Sequence, residues 1–147
     1  MRYYFRLIGF LATFGLMGKT LQAQSPLDEA LKSATAKHAL VLLNFSGSDW
    51  CIPCIKMHQT IIKSEDFQKL LNDSTVLYVN ADFPRNRKNQ LPDQLKKENA
   101  TLADKYNPGG SFPCSVLLEA DGRVLKKWEG LPGGDARSFV KEIESFR

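Results

Sequence analysis

Apolar and polar positions along most of the chain alternate with two distinct periods, and the switches between them mark the elements. SPLDEALKSATAKHA opens on Ser25, with Pro26 at the first helical position and Asp28 and Glu29 in the first turn, which reads as a helix start. LVLLNF, Leu40 to Phe45, is a run that is apolar except at Asn44, short enough for a strand buried on both faces. After the turn Ser46-Gly47-Ser48-Asp49, CIPCIKMHQTII reads as a helix, and SEDFQKLL follows with Ser64 as a second cap. TVLYVNA, Thr75 to Ala81, is the next strand. DQLKKENATLADKY is a helix that stops before Asn107-Pro108-Gly109-Gly110. CSVLLEA and RVLKKWE flank Asp121-Gly122, a hairpin signal, and DARSFVKEIESF closes the chain as an amphipathic helix capped by Asp135. The order helix, strand, helix, strand, helix, hairpin, helix predicts an α/β fold. Early crossovers give parallel pairing and the hairpin adds an antiparallel pair, so the sheet is mixed, with helices on both faces.

The N-terminus follows another logic. MRYYFR carries two arginines, Leu7 to Gly18 is an apolar run of 12 residues, and KTLQAQS supplies small and polar residues. That is the order of a secretory signal peptide. Cleavage is expected after Ala23, which divides the chain into a signal at 1–23 and a domain at 24–147. Retention as a membrane anchor is the alternative, but a span needs roughly 20 apolar residues and Arg6 interrupts the run. Once the signal is cleaved, nothing is left for stable membrane insertion. The expected location is the periplasm or the exterior.

Export changes the charge balance. The chain has 20 basic and 16 acidic residues, and the signal removes Arg2, Arg6 and Lys19 but no acid, leaving a net charge of +1. No nucleic-acid partner is therefore expected. PRNRK, Pro84 to Lys88, is a local basic cluster that reads as a solvated loop. The length fits one domain with its own core, and no segment has the composition of a disordered tract.

Candidate chemistry rests on cysteine. There are three, and Cys51 and Cys54 stand two residues apart in SGSDWCIPC. Outside the cytosol disulfides form and persist. A Cys-x-x-Cys loop is too short to constrain much of the unfolded chain, so a purely structural disulfide explains the pair weakly. A metal clip or a working redox pair remains. Cys51 falls at a predicted helix N-terminus, where unpaired N–H groups favour a thiolate, the nucleophilic form. Pro53 in the first turn removes no helical hydrogen bond.

DWCIPC resembles the Trp-Cys-x-x-Cys motif of the thioredoxin superfamily, following a buried strand and opening a helix. GGSFPCSVLLEADGRVL resembles the segment that carries the family's cis-proline, a strand and the Asp-Gly hairpin, with Pro113 at the proline. The similarity runs from Leu27 to Arg147. The GSDWC turn is similar to that of exported thioredoxin-like proteins of Gram-negative bacteria. The resemblance implies a thioredoxin-like fold and a thiol–disulfide oxidoreductase, with Cys51 attacking and Cys54, the more buried of the two, resolving. It implies that a cis bond at Pro113 sets the Phe112 backbone against the Cys51 sulfur, where substrate pairs as an added strand. Trp50 then covers the disulfide as an apolar contact surface. No organic cofactor is implied. The expected partners are protein disulfide substrates and a membrane electron donor.

The sequence departs from the family in three places. Asn44 stands where thioredoxins bury an acid in the strand before the motif, the turn that follows is one residue longer, and Asp49 is either a substitute proton handler or a surface turn residue. Ile52-Pro53 replaces Gly-Pro between the cysteines. Cys114 replaces threonine after the proline and is expected to turn away as a buried core thiol. Trp50 and Pro53 favour a reductase or isomerase, with a protein-disulfide oxidase as an alternative. A second alternative is copper or zinc handling by Cys51, Cys54 and His58. His38 is expected to cap a helix end. The segment from Phe83 to Lys97 exceeds a minimal thioredoxin and reads either as a partner-docking surface or as a tolerated insertion.

Overall fold

The computed structural model describes residues 25–147; the expected export signal, 1–23, lies outside them. Helix α1 spans Pro26–Lys37. Ser25 Oγ accepts from the Asp28 N–H at 3.1 Å, and the Asp28 carboxylate accepts from the Ser25 N–H at 3.4 Å, so two orphan donors are satisfied reciprocally. His38 ends the helix in the left-handed conformation at φ 53°.

Strands β1 (Leu40–Ser46), β2 (Val76–Asp82), β3 (Cys114–Leu118) and β4 (Val124–Glu129) form one sheet in the order β2-β1-β3-β4. β1 pairs with β2 in parallel and with β3 antiparallel, and β3–β4 is the hairpin. Strand β1 therefore has a neighbour on each side, and its apolar run is buried, as a central strand requires.

Alternation along the strands divides the core in two. Val41, Leu43 and Phe45 of β1 and Cys114, Val116 and Leu118 of β3 pack with α1 and with Tyr106 of α4 (Asp93–Tyr106). Leu42 and Leu117 point the other way. They join Phe67 and Leu70 of α3 (Glu65–Asn72) and Phe139 and Ile143 of α5 (Ala136–Glu144). Helices thus cover both faces, as the alternating pattern predicted.

The expected single helix over CIPCIKMHQTII is interrupted. Helix α2 covers Ile52–Met57, and a π turn carries the chain through His58–Ile62, closed by the Lys63 N–H on the His58 carbonyl at 3.0 Å. Ile61 and Ile62 within this turn are both buried. Strand β2 also runs one residue beyond the predicted stretch, to Asp82, which brings that carboxylate level with Ser46.

Candidate active site

The end of β1 and the start of α2 form the site. Gly47 turns the chain, and its carbonyl accepts from the Cys51 N–H at 2.9 Å. Cys51 is the N-cap of α2, and its Sγ accepts from the Cys54 N–H at 3.2 Å. The two sulfurs are joined at 2.07 Å. Each residue is only 4% exposed. This corrects the expectation that Cys54 would be the deeper of the pair, because the shared bond draws both sulfurs into one environment. Ile52 between them is 78% exposed. Its position is plain in the sequence, but its exposure is not, since an isoleucine after a tryptophan and a cysteine reads as equally suited to the core.

Trp50 is fixed on several sides. Its Nε1–H donates to the Phe83 carbonyl at 2.7 Å. Its ring lies 5.5 Å from that of Phe112, which packs edge-on to Phe83 at the same distance. The Arg85 guanidinium stacks 3.7 Å from the Trp50 ring centroid. The Phe112–Pro113 bond is cis, and Pro113 is buried. Asp49 is not free to handle protons. One carboxylate oxygen accepts from the Arg85 N–H at 2.9 Å, and the other accepts from the Asn86 N–H at 2.8 Å and Asn89 Nδ2 at 3.0 Å. These bonds, the Arg85 N–H foremost, hold its pKa below the usual carboxylate value.

A polar network lines the cavity that Cys54 also borders. Asn44 Nδ2 donates to Asn80 Oδ1 at 2.9 Å, and Ser115 Oγ donates to Asn44 Oδ1 at 3.0 Å. Ser46 Oγ lies 3.0 Å from Asn80 Oδ1 and 2.9 Å from Asp82 Oδ1, with one proton to share between them. Asp82 also accepts from the Ser48 N–H at 2.9 Å. These groups sit at alternate positions on β1 and β2 in the register Asn44–Asn80 and Ser46–Asp82, a pairing that no local motif announces. Cys54, Asn44, Asn80, Tyr78 and His58 share the wall of a cavity of about 260 Å³. Burial pushes the Tyr78 hydroxyl up to about 12.

The structure does not assemble the alternative metal set. Among the described residues no three His, Cys, Asp or Glu side chains come together as ligands, and the sulfurs of Cys51 and Cys54 are bonded to each other while His58 is exposed. Cys114 is fully buried and packs with the α1 and α4 side, across the sheet from α2. Burial raises its thiol to about 11.

A chain that carries a joined Cys-x-x-Cys pair at the mouth of this mixed sheet belongs to a recognisable class. It is a member of the thioredoxin-like domain family, whose sequence pattern matches residues 27–146. It is 35% identical over 117 residues to the disulfide bond reductase DsbH of Chlamydia pneumoniae, covering 80% of this chain and 68% of that protein. A solved structure of a DsbH oxidoreductase superposes with a TM-score of 0.71 at 30% identity, covering 87% of this chain and 92% of that one. The thioredoxin-related protein DsbJ of the same organism is 28% identical over 97 residues, which span 66% of this chain but only 27% of that longer protein. The chain is thus a thiol–disulfide oxidoreductase whose redox pair is Cys51 and Cys54.

Proposed function

We propose that the chain reduces disulfides in exported proteins, with Cys51 as the attacking thiol and Cys54 as the resolving one. The observation that carries the attacking role of Cys51 is its position as the cap of α2, its sulfur accepting the Cys54 N–H. A donor aimed at that sulfur favours the thiolate over the thiol. The name of the Chlamydia pneumoniae relative, a disulfide bond reductase, supports the direction.

In the reduced form the Cys51 thiolate attacks one sulfur of a substrate disulfide. A mixed disulfide forms and the other substrate sulfur leaves as a thiolate. Cys54 then gives up its proton and its sulfur attacks that of Cys51. The Cys51–Cys54 bond closes and the second substrate thiol is released. Two electrons pass to the substrate in each cycle. Trp50, Phe112 and Pro113 are the substrate-contact residues in this reading, and the exposed side chain of Ile52 adds an apolar contact beside them.

The wider setting follows the sequence. Residues 1–23 act as an export signal, residues 24–147 are the working domain, and the chain acts in the periplasm. A membrane electron donor restores the dithiol there, because cytosolic reductases are left behind. No described helix is long and apolar enough to cross a membrane.

Turnover of a protein disulfide with dithiothreitol as donor tests the assignment. The wild-type chain reduces the substrate and Cys51→Ser does not; equal activity of the two would overturn it. The reduction potential of the pair tests direction. A value near about −270 mV supports a reductant, whereas one near about −120 mV makes the chain an oxidase.

A further inference from the structure

The proposed function leaves the segment after β2 without a role, and the structure ties that segment to the active-site turn in a closed ring. The turn holds Asp49 and Trp50 side by side. From Asp49 the carboxylate reaches the backbone N–H groups of Arg85 and Asn86 and the side chain of Asn89. From Trp50 the indole N–H reaches the Phe83 carbonyl, and the Arg85 guanidinium lies over the ring. Gln90 braces the segment from within, its Nε2 donating to the Pro84 carbonyl at 3.0 Å.

We propose that Asp49 and Arg85 are positioning residues that hold Trp50 as one wall of the groove in which a polypeptide substrate lies. The groove, of about 480 Å³, is lined by Trp50, Phe83, Pro84, Arg85, Leu91 and Phe112, among others. It shares Trp50 and Phe112 with the proposed substrate contacts, so it continues the surface beside the sulfurs. Its occupant is the stretch of substrate chain flanking the reacting cysteine, extended and bearing an apolar side chain toward the aromatic wall.

The chemistry of the ring explains its residue types. Three donors converge on two carboxylate oxygens, which asparagine with one acceptor oxygen cannot match. A planar guanidinium covers an indole face while its edge stays available to solvent or a carbonyl. A wall fixed before substrate arrives spares the ordering cost that a free indole would incur on binding. The effect is specific to long substrates, because a small disulfide reaches the sulfurs without lying in the groove.

This inference rests on the proposed function, and its test separates the two. Asp49→Asn and Arg85→Ala are compared with wild type in reducing insulin and a small aromatic disulfide, with dithiothreitol as donor. The expected result is that KM for insulin rises about five- to tenfold with kcat held within about twofold. The ratio of insulin to small-disulfide kcat/KM falls in step, and Arg85→Lys restores part of the loss. In a Trp50→Phe background neither substitution changes the ratio further. A fall in kcat with no change in KM, or an effect undiminished in that background, would overturn the inference. If wild type fails to reduce insulin, the functional reading fails instead. The clamp is then judged on Trp50 emission, measured as the difference from Trp50→Phe: Asp49→Asn shifts it if the ring positions the indole, and an unshifted spectrum overturns the ring.

Discussion

Asn44 and Asn80 face each other across the parallel β1–β2 pair, the Asn44 side-chain amide donating to the Asn80 side-chain oxygen, Oδ1, at 2.9 Å. Asn44 is 4% exposed and lies on the wall of the cavity that reaches Cys54. A neutral amide thus occupies the place where the family resemblance expects an acid, and it takes part at both ends, since its own oxygen accepts from Ser115.

Asn44→Asp is expected to fold and to acquire a pH-dependent stability. A carboxylate there would set a charge against the Asn80 oxygen in a buried site, so its folded pKa lies above the unfolded value of about 3.9. The folded form then holds the proton longer. Stability is greatest below the unfolded pKa and is lost as pH rises through the folded one. Urea denaturation should show the variant close to wild type at pH 4 and weaker by about 1–3 kcal/mol at pH 7.5. A difference that does not change with pH would count against this account of the network.

Gly47 is a glycine for lack of room. A Cβ built there would lie 2.3 Å from Trp50 Cε2 and 2.5 Å from Nε1. The obstacle is a ring already held by Phe83, Arg85 and Phe112, so it cannot swing aside at little cost. Gly47→Ala is expected to destabilise by about 1–3 kcal/mol and to shift Trp50 emission as the indole is displaced. Denaturation followed by fluorescence checks both, and an unchanged midpoint would mean that the ring yields.

Cys114 is expected to be inert in the native protein and to limit its stability in alkali. Burial raises the thiol from 9.0 to about 11. The folded form therefore keeps its proton above the pH at which the unfolded thiol loses it. This contribution is complete below about pH 9 and lost as pH rises toward 11, on the order of 2–3 kcal/mol in all. Tyr78, raised from 10.0 to about 12, acts in the same direction. Alkylation at pH 8 after reduction should label Cys51 and leave Cys114 untouched until denaturant is added. Cys114→Ala should flatten the loss of stability between pH 9 and 11.

Features carried by local pattern were legible in the sequence. The caps at Ser25, Ser64 and Asp135, the buried run of β1, the hairpin at Asp121-Gly122 and the Cys51–Cys54 pair each depend on residues a few positions apart. The features that escaped depend on partners far along the chain. Asn44 meets Asn80 and Ser115 at separations of 36 and 71 residues, and Asp49 meets its donors at 36 to 40. An asparagine in a strand or an aspartate in a turn carries no mark of which distant group it will find. The π turn was hidden for another reason. HQTII has the apolar spacing of an ordinary helix end, and only packing decides that Ile61 and Ile62 are both buried.

Ile52 offers the clearest separation of function from stability. It is 78% exposed at the first position of α2, between the two sulfurs. Its side chain adds little to the core, so Ile52→Ser should leave the unfolding midpoint within about 0.5 kcal/mol of wild type. An aliphatic side chain left in water beside a reacting bond gains only when something covers it. Covering it fully is worth about 1.5–3 kcal/mol, and partial cover by a protein substrate would be at the lower end. The variant is therefore expected to lose about tenfold in kcat/KM toward a protein disulfide. The reduction potential of the pair must be measured alongside, because a residue between the cysteines can alter it. A potential unchanged within error and a tenfold loss would assign Ile52 to substrate contact. A shifted potential with the same loss toward a small disulfide would assign it to tuning the pair instead.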